Sequence, residues 1–174
     1  QMCIRDRVLG VERLPFHDKV HYEVHLMVQD PQDHIERWIA AGVNSVIAHA
    51  SMLESPHLIR KLADETGVEF GIAVTPTEYQ LIDDSLFSLA DFVQVMGSDE
   101  IGKHGVSLSD ESVKIIAAIA KNYHKPIAVD IGVNKDTIAK LASAGASRFV
   151  SGSAIFGSVD HGKAINGLDK KSEQ

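Results

Sequence analysis

Asp130 closes the apolar run Ile127-Ala128-Val129. A carboxylate there is costly to bury unless it is paired, hydrogen-bonded or metal-bound. It can cap a helix, or it can act as an acid or base; at the end of an apolar strand the second use is favoured. His49 ends a similar run, Val46-Ile47-Ala48. A neutral imidazole in that place could ligate a divalent metal together with Asp130, or could be a core histidine with its ring nitrogens satisfied. His25 lies inside a third run, where it either orients other polar groups or hydrogen-bonds within the core, and the second is favoured. Met27 and Met96 read as packing residues that could also face a sugar. Gly132, Gly152 and Ser153 follow two successive runs near the chain end. Backbone N–H groups of such turns bind phosphate.

These residues need a scaffold that brings strand ends together. Six short apolar, β-branched runs stand at residues 22–28, 45–50, 70–75, 91–96, 126–131 and 148–152. Runs that are apolar almost throughout are expected of parallel strands covered on both faces. Amphipathic stretches lie between them. Asp30-Pro31 opens the first helix and Gly42 stops it; Ser55-Pro56 opens the second and Gly67 closes it. The stretch 78–89 is a weaker helix, another follows Ser109, and Asn134 caps a last one that Gly145 ends. The junctions AAGVNSVIAHA, ETGVEFGIAVT and SAGASRFVSGSA resemble one another. This is a repeat of βα units with right-handed crossovers. The polar residues then share the face at the C-terminal strand ends, where parallel α/β folds bind ligands. The loop GSDEIGKHGVSLS, with Gly97, Gly102, Lys103, His104 and Gly105, is either a lid on that face or a plain surface loop.

Composition narrows the class. The chain has 174 residues, 17 Lys plus Arg against 24 Asp plus Glu, and a formal net charge of −7. A mildly acidic chain with no basic cluster is a poor nucleic-acid binder. No apolar run approaches the roughly 18 residues of a membrane span. The single cysteine, Cys3, excludes an intramolecular disulfide framework and fits a reducing, cytoplasmic compartment. No G-x-G-x-x-G turn supports a dinucleotide site.

Taken in order, HLMVQDP, IAHA, IAVTP, VQVMG, VDIGVN and AGASRFVSGSAIF resemble ribulose-phosphate 3-epimerase over residues 22–156. The resemblance implies a (β/α)₈ TIM barrel that epimerises carbon 3 of a pentulose 5-phosphate, an isomerase of the pentose phosphate pathway. It implies one divalent metal (Zn, Fe, Mn or Co), with His49 and Asp130 as ligands and Asp130 also as one of two acid/bases. The substrate-binding set is then His25, Met27, Met96, Gly132, Gly152 and Ser153, the last three on the phosphate. The partner is a small phosphosugar, with neither nucleic acid nor membrane, and a homo-oligomer is compatible with it.

Several positions depart from that pattern. The family's His-x-Asp-x-Met-Asp strand, which supplies two further metal ligands and the second aspartate, does not stand before residue 22, and His17-Asp18 does not match it. The family's Pro-Gly-Phe-Gly-Gly loop reads GSDEIGKHG, and its Asp-Gly-Gly turn reads Asp130-Ile131-Gly132. The expectation is therefore one incomplete TIM-barrel domain with about six of eight βα units. Residues 1–21 are expected to be an irregular or foreign lead with the remnant of a missing unit, 22–158 the βα units, and 159–174 a C-terminal helix or tail. An amino-terminally truncated chain of this kind would lack half of the catalytic site. The alternatives are a related barrel lyase, similar to hexulose-phosphate synthase, and a non-catalytic phosphosugar-binding protein.

Overall fold

The computed structural model describes residues 2–5, 14–16, 18–102 and 106–172. Lys103, His104 and Gly105 of the expected lid loop, and His17, lie outside the described residues. The chain divides into two compact units, residues 1–73 with 82–92, and 74–81 with 93–174.

The first unit contains strands β1 (Met2–Arg5) and β2 (Glu23–Met27), helix α1 (Gln32–Ala41), strand β3 (Ser45–His49), helix α2 (Pro56–Thr66) and most of strand β4 (Glu69–Val74). β1 pairs with β2, β2 with β3 and β3 with β4, all parallel. Both helices end on a left-handed glycine, Gly42 at φ 96° and Gly67 at φ 72°, a conformation that only glycine adopts without strain. Pro56 occupies the first turn of α2, where its missing N–H costs nothing. Ile35 and Trp38 of α1 and Ile59 of α2 are buried, as are Val24, Leu26, Val46 and Ile47 of the strands.

The second unit starts with a single-turn helix α3 (Pro76–Tyr79), followed by strand β5 (Phe92–Met96, its first residue in the first unit), helix α4 (Asp110–Tyr123) and strand β6 (Ile127–Asp130). Helix α5 (Ile138–Ser143), strand β7 (Arg148–Phe149), helix α6 (Ser153–Phe156) and helix α7 (His161–Ser172) complete it. β5 pairs with β6 and β6 with β7, again parallel. Ser109 caps α4 by accepting from the Ser112 N–H, and Ile115, Ile116 and Ile119 bury one face of the helix.

Four expectations change. Residues 2–5 are not irregular: they form β1, paired with β2. A four-residue strand carries too little periodicity to be read alone. The stretch 78–89 is not one weak helix; the single turn α3 opens with a capping box between Thr75 and Glu78, and a 3₁₀ segment follows at Asp84–Leu89. Asn134 caps a turn rather than α5: its Oδ1 accepts from the N–H of Asp136 and Thr137, and the helix starts at Ile138. β7 spans two residues where 148–152 was expected, because the backbone turns at Gly152 into α6. Helix α7 lies within residues 159–174, the stretch the sequence reads as a helix or a tail. Among the described residues no helix is long and apolar enough to cross a membrane.

α4 ends on His124, exposed and left-handed at φ 49° and ψ 30°. A side chain there costs roughly 1 kcal/mol that glycine avoids. His124→Gly is expected to raise the melting temperature by about 2–4 °C in a thermal scan. An unchanged or lower value would mean that the histidine makes a compensating contact.

Candidate functional site

Strand register decides which side chains can meet. In the first unit His25 lies opposite Ile47. Side chains alternate along a strand, so Ile47 and His49 share a face, and His25 becomes the diagonal neighbour of His49. The rings accordingly stack, with centroids 4.9 Å apart and planes 22° from parallel. Both histidines are buried. Met27 follows His25 by two residues and shares its face, half-buried at the C-terminal end of β2. The structure thus brings His25 and His49 together across adjoining strands, with Met27 at the C-terminal end of β2.

In the second unit the same reasoning joins Met96 to Asp130, which are register partners across β5 and β6. Met96 is buried and Asp130 half-buried. The Ile131 N–H donates to Asp130 Oδ1 at 2.8 Å, which fixes the direction of the carboxylate. Ile131 itself adopts φ 74° and Gly132 φ 77°. Positive φ at a β-branched residue is strained and persists only where surroundings over-determine it. They do so here. The Gly97 N–H donates to Asp130 O at 2.6 Å, and the Ile131 carbonyl packs where a Gly97 Cβ would stand. A Cβ on Gly132 would meet the Leu108 backbone at 2.7 Å, and Thr137 Oγ1 donates to Gly132 O at 2.6 Å. Ile131 is therefore held in the left-handed geometry of the Asp-x-Gly turn by its surroundings.

The last two turns are linked, since Ser151 Oγ donates to Val133 O at 3.1 Å. Gly152 and Ser153 begin α6, at positions whose N–H groups a helix does not pair internally. A Cβ on Gly152 would meet nothing within 4 Å, so the space beside it is open. A cavity of about 400 Å³ adjoins this turn, lined in part by Asn134, Lys135, Ser153 and Ser158.

The described residues thus form two clusters: His25, His49 and Met27 in one unit, and Met96, Asp130, Gly132, Gly152 and Ser153 in the other. His49 and Asp130 fall in different units. Among the described residues no three His, Cys, Asp or Glu side chains are grouped to hold a metal ion. One polar residue escaped the reading of the sequence. Gln94, in the middle of β5, is fully buried. Its signal was a carboxamide interrupting the apolar run Phe92-Val93 and Val95-Met96.

Residues 7–156 match the model of the ribulose-phosphate 3 epimerase family. A ribulose-phosphate 3-epimerase of Bacillus subtilis is 34% identical over 83% of this chain and 69% of its own length. A chloroplastic ribulose-5-phosphate-3-epimerase of Arabidopsis thaliana is 29% identical over 84% of this chain. The match spans only 54% of that relative's length. Among solved structures, orotidine 5'-monophosphate decarboxylase from Sulfolobus solfataricus aligns with a TM-score of 0.65 at 17% identity, over 87% of this chain and 72% of that one. A 3-hexulose-6-phosphate synthase aligns at 0.59 and 25% identity, over 85% and 72%. The fold is α/β, of the TIM-barrel class, with seven strands among the described residues against the eight of a closed barrel.

Proposed function

The chain belongs to the ribulose-phosphate 3-epimerase family, and on that premise we propose that it inverts carbon 3 of a pentulose 5-phosphate, interconverting ribulose 5-phosphate and xylulose 5-phosphate. The observation that carries the reading is Asp130, a carboxylate at the C-terminal end of β6 held in one direction by the Ile131 N–H. The hydrogen on carbon 3 is acidified by the neighbouring carbonyl, so a fixed carboxylate can remove it and leave an enediolate. Inversion follows when a proton returns to the opposite face, a step that needs a second acid. Gly132, Gly152 and Ser153 hold the phosphate in this reading, supported by the link between their two turns and the open space beside Gly152. In this reading Met96 lines the sugar next to Asp130, its register partner, while Met27 and His25 stand with His49 in the first unit.

A divalent metal (Zn, Fe, Mn or Co) is the cofactor of the same reading, and when bound it would steady negative charge on the ketose oxygens. His49 and Asp130 are donors of the right types. Among the described residues no three such donors are grouped, so these two fit such an ion only in part.

Incubated with ribulose 5-phosphate and each of the four metals in turn, the protein is expected to form xylulose 5-phosphate, and to reach the same final ratio from either sugar. Unchanged ribulose 5-phosphate with every metal would reject the reading. The likeness to a 3-hexulose-6-phosphate synthase favours a lyase as the second reading. A six-carbon product on adding formaldehyde would support it instead.

A further inference from the structure

We propose that Gln94 is a positioning residue for the site around Asp130; the inference rests on the epimerase reading for its consequence in turnover. Every residue of β5 is buried, and Gln94 is 0% exposed. An apolar side chain would fill that place without the cost of desolvating a carboxamide. Alternation puts Gln94 and Met96 on one face of β5, and the register sets Gln94 opposite Ala128 and Met96 opposite Asp130. The small Ala128 leaves room for the carboxamide to lie along its own strand. There the Gln94 Nε2–H donates to Met96 Sδ at 3.5 Å. The Met96 main chain is tied as well, since Ser112 Oγ donates to Met96 O at 2.9 Å. Methionine has three rotatable side-chain bonds and is a poor wall unless something holds it. Gln94 supplies the hold, so the thioether keeps one place beside the carboxylate that takes the proton. A site wall that drifts by about 1 Å can cost on the order of 10²-fold in rate.

The test pairs Gln94→Leu, which keeps the volume and removes the donor, with Met96→Leu and the double variant. Gln94→Leu is expected to lower kcat for ribulose 5-phosphate by about tenfold with KM unchanged. In the Met96→Leu background the same change should cost less than about twofold, because the interaction is already gone. Methionine labelled with ¹³C in its methyl group provides a readout that needs no turnover. The Met96 methyl should show one fixed rotamer in the parent and an averaged one in Gln94→Leu. Additive kinetic losses, or a Met96 methyl equally averaged in both proteins, would overturn the proposal. If the methyl behaves as expected but ribulose 5-phosphate is neither bound nor turned over, the epimerase reading fails while the contact stands. Gln94 would then not be a positioning residue for that reaction.

Discussion

Asp130→Asn is expected to abolish epimerisation, with a loss of about 10³-fold or more in kcat. The amide is nearly the size of the carboxylate, and its oxygen can still accept from the Ile131 N–H, the bond that orients Asp130 at 2.8 Å. What it loses is the basic lone pair that takes the proton from carbon 3. Folding should therefore survive, as should binding of ribulose 5-phosphate, whose phosphate is assigned to Gly132, Gly152 and Ser153. Thermal melting and calorimetric titration check these two controls, and the rate of xylulose 5-phosphate formation checks the loss. Retained turnover would remove Asp130 from the chemistry. A collapsed melting curve would make it a structural aspartate.

Gly97→Ala should produce the largest change in stability. The added methyl would occupy the place of the Ile131 carbonyl oxygen and crowd Asp130 O at 3.3 Å. Neither neighbour is the movable end of a side chain. Both belong to a turn already bound by Gly97 N–H to Asp130 O, by Ser109 N–H to Gly97 O and by Thr137 Oγ1 to Gly132 O. Relief must come from moving backbone, at a cost of about 3 kcal/mol or a melting temperature lower by roughly 10 °C. The displaced turn carries Asp130, so turnover should fall with stability. Gly152→Ala is the contrast. Gly152 has φ −95° and open space around its Cβ position, so stability should stay within about 0.5 kcal/mol of the parent. Equal melting temperatures for the two variants would mean that the Asp130 turn is not packed as described.

The order of βα units was legible because each half leaves a local mark. Pro56 and Gly67 bracket α2, Gly42 stops α1, and the buried strands are written in nearly continuous apolar residues. The residues at the strand ends were legible for the same reason, since a His or Asp after three apolar residues stands out. Contacts that depend on register were not. That His25 stacks on His49 follows from His25 facing Ile47, and Met96 meets Asp130 only through the pairing of β5 with β6. Strand β1 was missed because its identity as a strand lies in its pairing with β2, some twenty residues on. Ile131 shows a subtler limit. Its side chain argues against a left-handed turn, and tertiary contacts around Gly97 and Leu108 hold it there regardless.

The most direct test of carbon-3 chemistry is the position of deuterium in ribulose 5-phosphate recovered after incubation with the protein in heavy water. Deuterium at carbon 3, accompanied by xylulose 5-phosphate labelled at the same carbon and absent with Asp130→Asn, is the expected result. Deuterium confined to carbon 1, where a lyase would add its new carbon, or no incorporation at all, would contradict the assignment.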